Sequence, residues 1–495
     1  MPLNLVLDRW IPVRRTDGGT EQIRPDEITR PDIAFPDWPR ADLNIACLEL
    51  LVGLVFLADP PADNEEWRAR RAPAPERLRE RFAALAPAFD LIGDGPRFLQ
   101  DFAPLDGDGN PPDMLFIDSA GGQTARNNAD LLVRRNRYPD LDLPLAAMAL
   151  YTLQAHAPSG GAGNRTSMRG GGPMVTLVDP GTGRLWDLVW ANVPNGAPAG
   201  IDILPWMKPT RTSEAKGSEV WPVQIHPAEA FFGMPRRLRL VAAGDRVTGV
   251  IQRPYGINYA GHNHPLTPYY RLKTDSDWLP VHPRAGAFGY RNWLGVIVSA
   301  AVENATLARR AETIKSYEGR LLPKDRRGTS VIVAGYAMDN MKPRDFTWSR
   351  QPLLPLLPEI QKPVVAMIES AETFGSVLRG ALKTVTGDGK RLELLRETFF
   401  IRTQSAFDQA LAALLRGEDA IETAKRWVQA VRREAEAIFN DEALPGLDGK
   451  SIKEIEAIVA ARGYLRAVLF GRAKPGPDVY TKLHLTAPGK KQGTP

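Results

Sequence analysis

Residues 159–172 read SGGAGNRTSMRGGG, and the first part of the chain is organised around this glycine-rich stretch. It holds six glycines and two arginines but no carboxylate. Because glycine lacks a Cβ atom, its backbone can adopt positive φ and lie close against a partner. Residues 144–156 before the stretch predict a helix, and the apolar residues 174–178 after it predict a buried strand. We therefore predict a mobile loop between two ordered elements, in which Arg165 and Arg169 supply positive charge beside exposed backbone.

Three interpretations of this glycine loop remain open on its residues alone. A phosphate-binding P-loop requires G-x-x-x-x-G-K-[ST], but Gly163 is followed by Asn164, Arg165 and Thr166, so the lysine is absent and the spacing differs. A solvated surface loop is the usual fate of Gly/Ser-rich stretches. The third interpretation is a loop whose bare backbone approaches a nucleic-acid groove.

The composition predicts a globular protein with room for a nucleic-acid partner. A chain of 495 residues suggests two to four domains, and an apolar content of 43% is enough for a large core. The formal net charge is only +5, which permits an anionic partner without requiring one. Cys47 is the single cysteine, so no intrachain disulfide can form. His262 and His264 are the only close histidine pair, and we predict neither a metal site nor a cofactor.

The sequence also fits neither the pattern of a membrane-spanning helix nor that of a secretion signal. Residues 43–58 are apolar but are interrupted by Asn44 and Glu49, so they predict a buried helix rather than a span of about 20 apolar residues. The first ten residues, MPLNLVLDRW, lack a charged region followed by an apolar one. We expect a cytoplasmic protein with no membrane partner.

The middle of the chain carries a basic segment at residues 126–138. Its arginines stand among three asparagines; they are Arg126, Arg134, Arg135 and Arg137. The segment is either a solvated basic surface or a contact for phosphates, and the sequence leaves both open. From residue 186 to residue 333 the pattern predicts short strands and turns, with the aromatic and apolar residues 185–193 at its start.

The C-terminal part has a different periodicity. Four helical segments lie between about residues 360 and 470, and in the third of them six apolar side chains recur every three or four residues. These are Ile421, Ala424, Val428, Val431, Ala435 and Ile438. We predict an α+β fold: a mixed α/β domain over residues 1–355, a four-helix bundle over 356–475 and a flexible tail over 476–495.

The catalytic motifs that we searched for do not occur. The sequence contains no G-x-S-x-G, H-E-x-x-H or C-x-x-C motif, and acidic pairs such as Asp275 with Asp277 are typical of solvated turns. This pattern favours a binding protein over an enzyme.

Several stretches, in order, resemble the large subunit of the type I-E CRISPR surveillance complex Cascade, the CasA family. They are NLVLDRWIPV at 4–13, LWDLVWANV at 185–193, EVWPVQIHPAEAFFGMPRRLRL at 219–240 and YGINYAGHNHPLTPYYR at 255–271. The resemblance implies a non-catalytic subunit that reads the protospacer-adjacent motif (PAM) in double-stranded DNA, helps to open the duplex and recruits a helicase-nuclease. It also implies crRNA and the backbone, handle-binding and small subunits of Cascade as partners.

The resemblance also assigns roles to individual residues. The PAM-reading loop corresponds to Gly160, Gly161, Ala162, Gly163 and Asn164, with Arg165 beside it, and a groove-contacting lysine corresponds to Lys273. A wedge that separates base pairs corresponds to Asp339, Asn340 and Met341, and the four arginines of residues 126–138 correspond to a crRNA contact. Two other classes stay open, namely a nucleotide-hydrolysing enzyme that uses the glycine loop and a purely structural assembly scaffold.

Overall fold

The structure is a computed structural model that describes residues 3–119, 126–127, 137–161, 163–299, 307–326, 328–354 and 357–488. The predicted site residues Ala162, Arg134 and Arg135 lie outside the described residues. The chain forms two compact units: Met1–Ala287 with Ala301–Leu353, and Phe288–Ala300 with Leu354–Pro495.

The first unit is built around one largely apolar helix. Helix α1, Ala41–Ala58, is buried on nearly all sides because almost every residue in it is apolar. It is long and apolar enough to cross a membrane, but 89% of it is buried inside the fold, and we therefore assign it to the protein core. Further helices that the structure describes in this unit are α2 (Asn64–Ala69), α3 (Pro75–Ala83), α4 (Leu143–His156), α5 (Leu185–Asn192) and α6 (Glu312–Arg320).

Among the described residues, four small antiparallel sheets form the strand part of this unit. The first has the order β2–β1–β3, with β1 Ile11–Arg15, β2 Thr20–Ile23 and β3 Ile33–Pro36. The second has the order β4–β7–β6, with β4 Leu141–Asp142, β6 Arg237–Ala243 and β7 Arg246–Arg253. The third has the order β10–β8–β9, with β8 Tyr269–Tyr270, β9 Leu279–Pro280 and β10 Ala308–Arg309. The fourth has the order β12–β11–β5, with β5 Val175–Asp179, β11 Ser330–Asp339 and β12 Lys342–Pro352.

Both elements predicted on either side of the glycine loop are confirmed. The predicted helix 144–156 is α4, and the predicted strand 174–178 is β5, whose five residues are all buried. Residues 185–193 correct the sequence-based prediction, because α5 forms where we expected short strands and turns. Trp186 and Trp190 stack at 5.2 Å on one face of that helix, so a spacing of four residues decides in favour of helix.

The second unit consists mainly of four long helices, and the predicted α+β class with a helical C-terminal region is confirmed. They are α7 (Pro358–Thr386), α8 (Lys390–Leu415), α9 (Ala420–Ala443) and α10 (Ile452–Leu469). In α9 the predicted apolar seam is buried except at its first position, where Ile421 is 44% exposed. Residues 288–300 belong to this unit, which the sequence did not predict: Tyr290 stacks on Phe407 at 4.5 Å and packs edge-on against Trp427.

The predicted flexible tail 476–495 is wrong over its first part. A further helix, α11 (Gly476–Lys482), follows α10, and its Val479 and Tyr480 are buried. The Tyr480 hydroxyl donates a hydrogen bond of 2.8 Å to the carbonyl of Leu469, and Lys482 pairs with Glu369 at 2.7 Å. These contacts order a segment whose Pro/Gly/Lys-rich composition suggested disorder.

Tyr480→Ala is therefore expected to lower the free energy of unfolding of the whole protein by about 3 kcal/mol, since it removes a buried aromatic ring and its hydrogen bond. Ile452→Ala is the matched control, because Ile452 is 78% exposed at the start of α10. Denaturant unfolding of both variants provides the measurement. Equal stability of the two variants would restore the interpretation of residues 476–488 as a flexible tail.

Candidate nucleic-acid interface

The glycine loop narrows to a tight turn at residues 160–164. The amide of Asn164 donates to the carbonyl of Gly161 at 2.8 Å, and the amide of Gly160 donates to the carbonyl of Asn164 at 3.4 Å. Gly161 and Gly163 have φ values of +64° and +80°, a region that side-chain-bearing residues rarely adopt. Gly161 is exposed, and no atom lies within 4 Å of the position where a Cβ would stand. The tip of the turn therefore presents bare backbone to its surroundings.

The rest of the turn is held tightly by its neighbours. The carbonyl of Gly163 accepts a 2.8 Å hydrogen bond from the amide of Tyr255, and a Cβ at Gly163 would stand only 2.7 Å from the Tyr255 ring. The side-chain oxygen of Asn164 accepts a 2.9 Å hydrogen bond from Gln252. Gly163 and Asn164 thus fix the turn to Tyr255 and to Gln252 at the end of β7, while Gly161 faces open space.

Both arginines of the loop depart from the sequence-based prediction. Arg165, predicted to supply positive charge beside exposed backbone, is half-buried and donates to the hydroxyl and the carbonyl of Ser213 at 2.7 and 2.9 Å. Arg169 is 3% exposed, and its guanidinium pairs with the Glu49 carboxylate of α1 at 2.6 Å. The buried Glu49 attracts Arg169 because an unpaired carboxylate in the core would be costly. These side chains anchor the loop and do not extend from it.

A second basic side chain shares the Glu49 carboxylate. His156, the last residue of α4, lies 2.8 Å from one Glu49 oxygen, while Arg169 occupies the other. Burial alone would raise the pKa of Glu49, but Arg169 and His156 outweigh it and hold this pKa at about 2. Glu49 is thus an ionised group in the core of the first unit.

Glu49→Gln is expected to lower the free energy of unfolding by about 3–5 kcal/mol at neutral pH, because Arg169 is left as an uncompensated buried charge. The native pKa of Glu49 is below its ordinary value of 4.5, so its stabilising effect is complete above pH 4.5 and is lost as the pH falls through about 2. The Tm difference between wild type and variant should therefore narrow with falling pH. A Tm difference that stays constant from pH 7 to pH 2.5 would contradict this assignment.

The predicted wedge is the tip of the β11–β12 hairpin. Asp339 pairs with Lys342, which leaves Asn340 and Met341 as a two-residue turn. Their φ values are +49° and +61°, as in a type I′ turn, and methionine is an uncommon residue in this conformation. Met341 is 48% exposed, so the hairpin tip carries an apolar side chain that is about half open to its surroundings.

The hairpin tip and the glycine loop lie side by side. A Cβ at Gly171 would stand 3.4 Å from the Met341 sulfur and 2.7 Å from the Pro158 Cα. A Cβ at Gly172 would stand 2.7 Å from the Cβ of Tyr336 in β11. The absence of side chains at Gly171 and Gly172 thus permits the hairpin to pack against the end of the loop. The sequence linked residues 160–164 to the hairpin tip only by resemblance, and the structure places that tip against the other end of the same loop, at Gly171.

Lys273 lies in the exposed segment between β8 and β9. Its amide and carbonyl bond the Ser276 hydroxyl at 3.0 and 2.9 Å, so a local turn fixes the backbone and leaves the side chain exposed. Beyond β9, His282 lies 2.9 Å from the position of a Cβ at Gly170. The element that carries Lys273 therefore continues into residues that pack on the glycine loop. Asp275 is exposed in the same segment and reduces its positive charge.

The predicted RNA-contacting arginines are only partly described. Arg126 is exposed, whereas Arg137 is held by Asp118 through two hydrogen bonds of 2.8 Å and lies 5.0 Å from the centre of the Tyr138 ring. Burial would raise the pKa of Asp118, but Arg137 and Arg40 hold it at about 2. Arg137 therefore stabilises the fold at this position, and its side chain is 25% exposed.

The fold and the site define a class of proteins in which a mixed α/β unit, carrying a glycine turn and a hairpin with an exposed tip, is followed by a unit of long helices. Among the described residues no group of three or more His, Cys, Asp or Glu side chains is placed to hold a metal ion. The family model for the CRISPR-associated protein Cse1 matches residues 4–438. The chain belongs to this Cse1 family.

Solved structures agree with this fold. Cse1 from Thermobifida fusca superposes with a TM-score of 0.70 at 18% identity, covering 98% of this chain and 99% of that one. CasA (Cse1) from Thermus thermophilus gives 0.69 at 19% identity, covering 95% and 99%. A chain from a structure described as a CRISPR RNA-guided surveillance complex gives 0.68 at 15% identity, covering 94% and 99%.

Proposed function

We propose that this chain is the non-catalytic large subunit of a crRNA-guided surveillance complex that reads a PAM in double-stranded DNA and starts duplex opening. The observation that carries the proposal is the exposed, bare-backbone turn at Gly161, in a loop whose other end packs against the exposed Met341 tip. Family membership supports the same assignment, since a neighbour of similar fold is described as part of an RNA-guided complex.

The turn at residues 160–164 suits the minor groove. That groove is only about 6 Å wide in B-DNA, so backbone without side chains enters it more easily than a bulky side chain does. Gly161 has open space around its Cα, and the contacts of Gly163 and Asn164 hold the turn in place. The minor groove distinguishes mainly A·T from G·C pairs, and so this subunit accepts a relaxed motif.

Binding and opening then follow in sequence. Basic side chains, with Lys273 foremost, attract DNA through phosphate contacts that do not depend on base sequence. The glycine turn tests the motif, and the Asn340–Met341 tip enters the adjacent base step, where unstacking costs a few kcal/mol. Guide pairing extends from the opened step, as in other RNA-guided effectors. Each of these steps is non-covalent, and this subunit performs no catalysis.

The remaining partners follow from the same role. Arg126 and Arg137, with Arg134 and Arg135 in the same segment, contact the crRNA. Other surfaces contact the backbone, handle-binding and small subunits, and the subunit recruits the helicase-nuclease once the duplex is open. A cytoplasmic location accompanies this role.

The direct test is the binding of the assembled complex to a DNA library with a randomised motif. The proposal predicts strong enrichment of a small set of motifs next to the target. Equal binding of all motifs by the wild-type complex would overturn it.

Two other functions make different predictions. A nucleotide-hydrolysing enzyme would turn over ATP with magnesium, and we expect no turnover above the rate of a Gly161→Asp variant. A structural scaffold would assemble the complex but would leave strand opening unchanged when Asn340 and Met341 are replaced.

A further inference from the structure

One carboxylate in the protein core holds both ends of the glycine loop. Glu49 is 0% exposed; one of its oxygens contacts His156 immediately before the loop, and the other contacts Arg169 near its end. A backbone hydrogen bond also joins the two ends of the loop, since the amide of Gly172 donates to the carbonyl of His156 at 3.0 Å. Arg169 also donates to the Thr267 hydroxyl at 3.2 Å. The loop is therefore fastened at its base, 120 residues away in sequence from the helix that fastens it.

The same helix also holds the strand that leads to the hairpin tip. Asp42 lies two helical turns before Glu49 in α1 and accepts a hydrogen bond from the hydroxyl of Tyr336 in β11. Positions i and i+7 lie on nearly the same face of a helix. The Tyr336 ring in turn packs edge-on against His156, with 6.2 Å between ring centres. A single face of α1 thus contacts the glycine loop and the strand of the hairpin.

Stability alone does not require this arrangement. A buried ion pair recovers little net stability after its desolvation, and apolar replacement of both partners is often neutral or stabilising. The pair does impose a defined geometry, because a planar guanidinium meets a carboxylate in few orientations.

We infer that Glu49 and Arg169 are positioning residues. They set the position of the Gly161 turn relative to the Met341 tip and thereby determine how strongly the complex discriminates between motifs. This inference rests on the proposed function. Neither side chain touches DNA; both act through the backbone of the loop.

The test uses a double variant, Glu49→Met with Arg169→Met, which replaces this buried ion pair by apolar side chains in the assembled complex. The Tm and the affinity for DNA with a scrambled motif should stay close to those of wild type. The preference for the cognate motif over a scrambled one should fall about tenfold or more, which is the loss of affinity that one mismatched base pair typically causes. An unchanged preference in this variant would overturn the inference. It would not affect the proposed function, which fails only if the wild-type complex itself shows no motif preference.

A conservative variant keeps the test decisive if the double variant does not fold. Arg169→Lys retains the charge opposite Glu49 but has a single ammonium in place of the guanidinium that also reaches Thr267. Its matched control is Arg310→Lys, because Arg310 forms a second buried pair with Glu318 through two 2.7 Å hydrogen bonds. We expect both variants to lower the Tm, but only Arg169→Lys to weaken motif preference. A similar loss of preference in both variants would reduce Glu49 and Arg169 to a structural role.

Discussion

Gly161→Asp is expected to abolish motif discrimination while the complex still assembles. The substitution places a side chain and a negative charge at the tip of the turn, where the phosphates of a narrow groove would repel it. It also requires an aspartate at φ +64°, which costs about 1 kcal/mol, too little to unfold the unit. Competition binding against cognate and scrambled motifs measures the effect, and we expect the cognate preference to fall about a hundredfold.

Gly183→Asp provides the matched control for that substitution. Gly183 is also exposed, has φ of +72° and has no atom within 4 Å of the position of a Cβ. It therefore bears the same backbone strain and the same added charge outside the glycine loop. Equal losses in the two variants would show that the effect arises from charge or strain in general and not from the reading turn.

Replacement of both wedge residues, Asn340→Gly with Met341→Gly, should separate binding from opening. Glycine accepts positive φ, so the hairpin should gain about 0.5–1 kcal/mol of stability from relief of strain, after allowance for the entropy of glycine. The apolar tip is lost, however, and opening of the base pair next to the motif should fall about tenfold or more. Fluorescence of 2-aminopurine at that base pair, together with Tm, measures both effects.

The control for the relief of strain is His484→Gly. His484 has φ of +57° in the second unit, so glycine there relieves the strain of one such residue without a change in the wedge. The two single variants, Asn340→Gly and Met341→Gly, identify which residue enters the base step. Normal opening by the double variant would favour the scaffold function instead.

Local backbone chemistry was the part of the site that the sequence predicted best. The glycines of the turn indicated bare, positive-φ backbone, and Gly161 shows it. The helix before the loop and the strand after it were also predictable, since long or strongly apolar segments leave few alternatives. The helix α5 could not be predicted, because periodicity alone does not distinguish a helix from a strand in a short apolar run. The structure decides in favour of a helix, since its two tryptophans stack on one face.

Long-range pairing could not be predicted from the sequence. In the sequence, Glu49 interrupts an apolar stretch and Arg169 stands in a glycine-rich loop, and neither pattern indicates a partner. In the structure the two side chains form a buried ion pair, which accounts for the presence of both charges in the core. No local pattern reports a contact across 120 residues. The packing of Met341 against Gly171 and the insertion of Tyr290 among the long helices have the same cause.

A structure of the assembled complex bound to DNA with its preferred motif would decide the proposed mechanism. We expect the backbone of residues 160–164 to lie in the minor groove at the motif, with the Asn340–Met341 tip at the first opened base step. If residues 160–164 instead faced bulk solvent, away from the duplex, the glycine turn would not be the element that reads DNA.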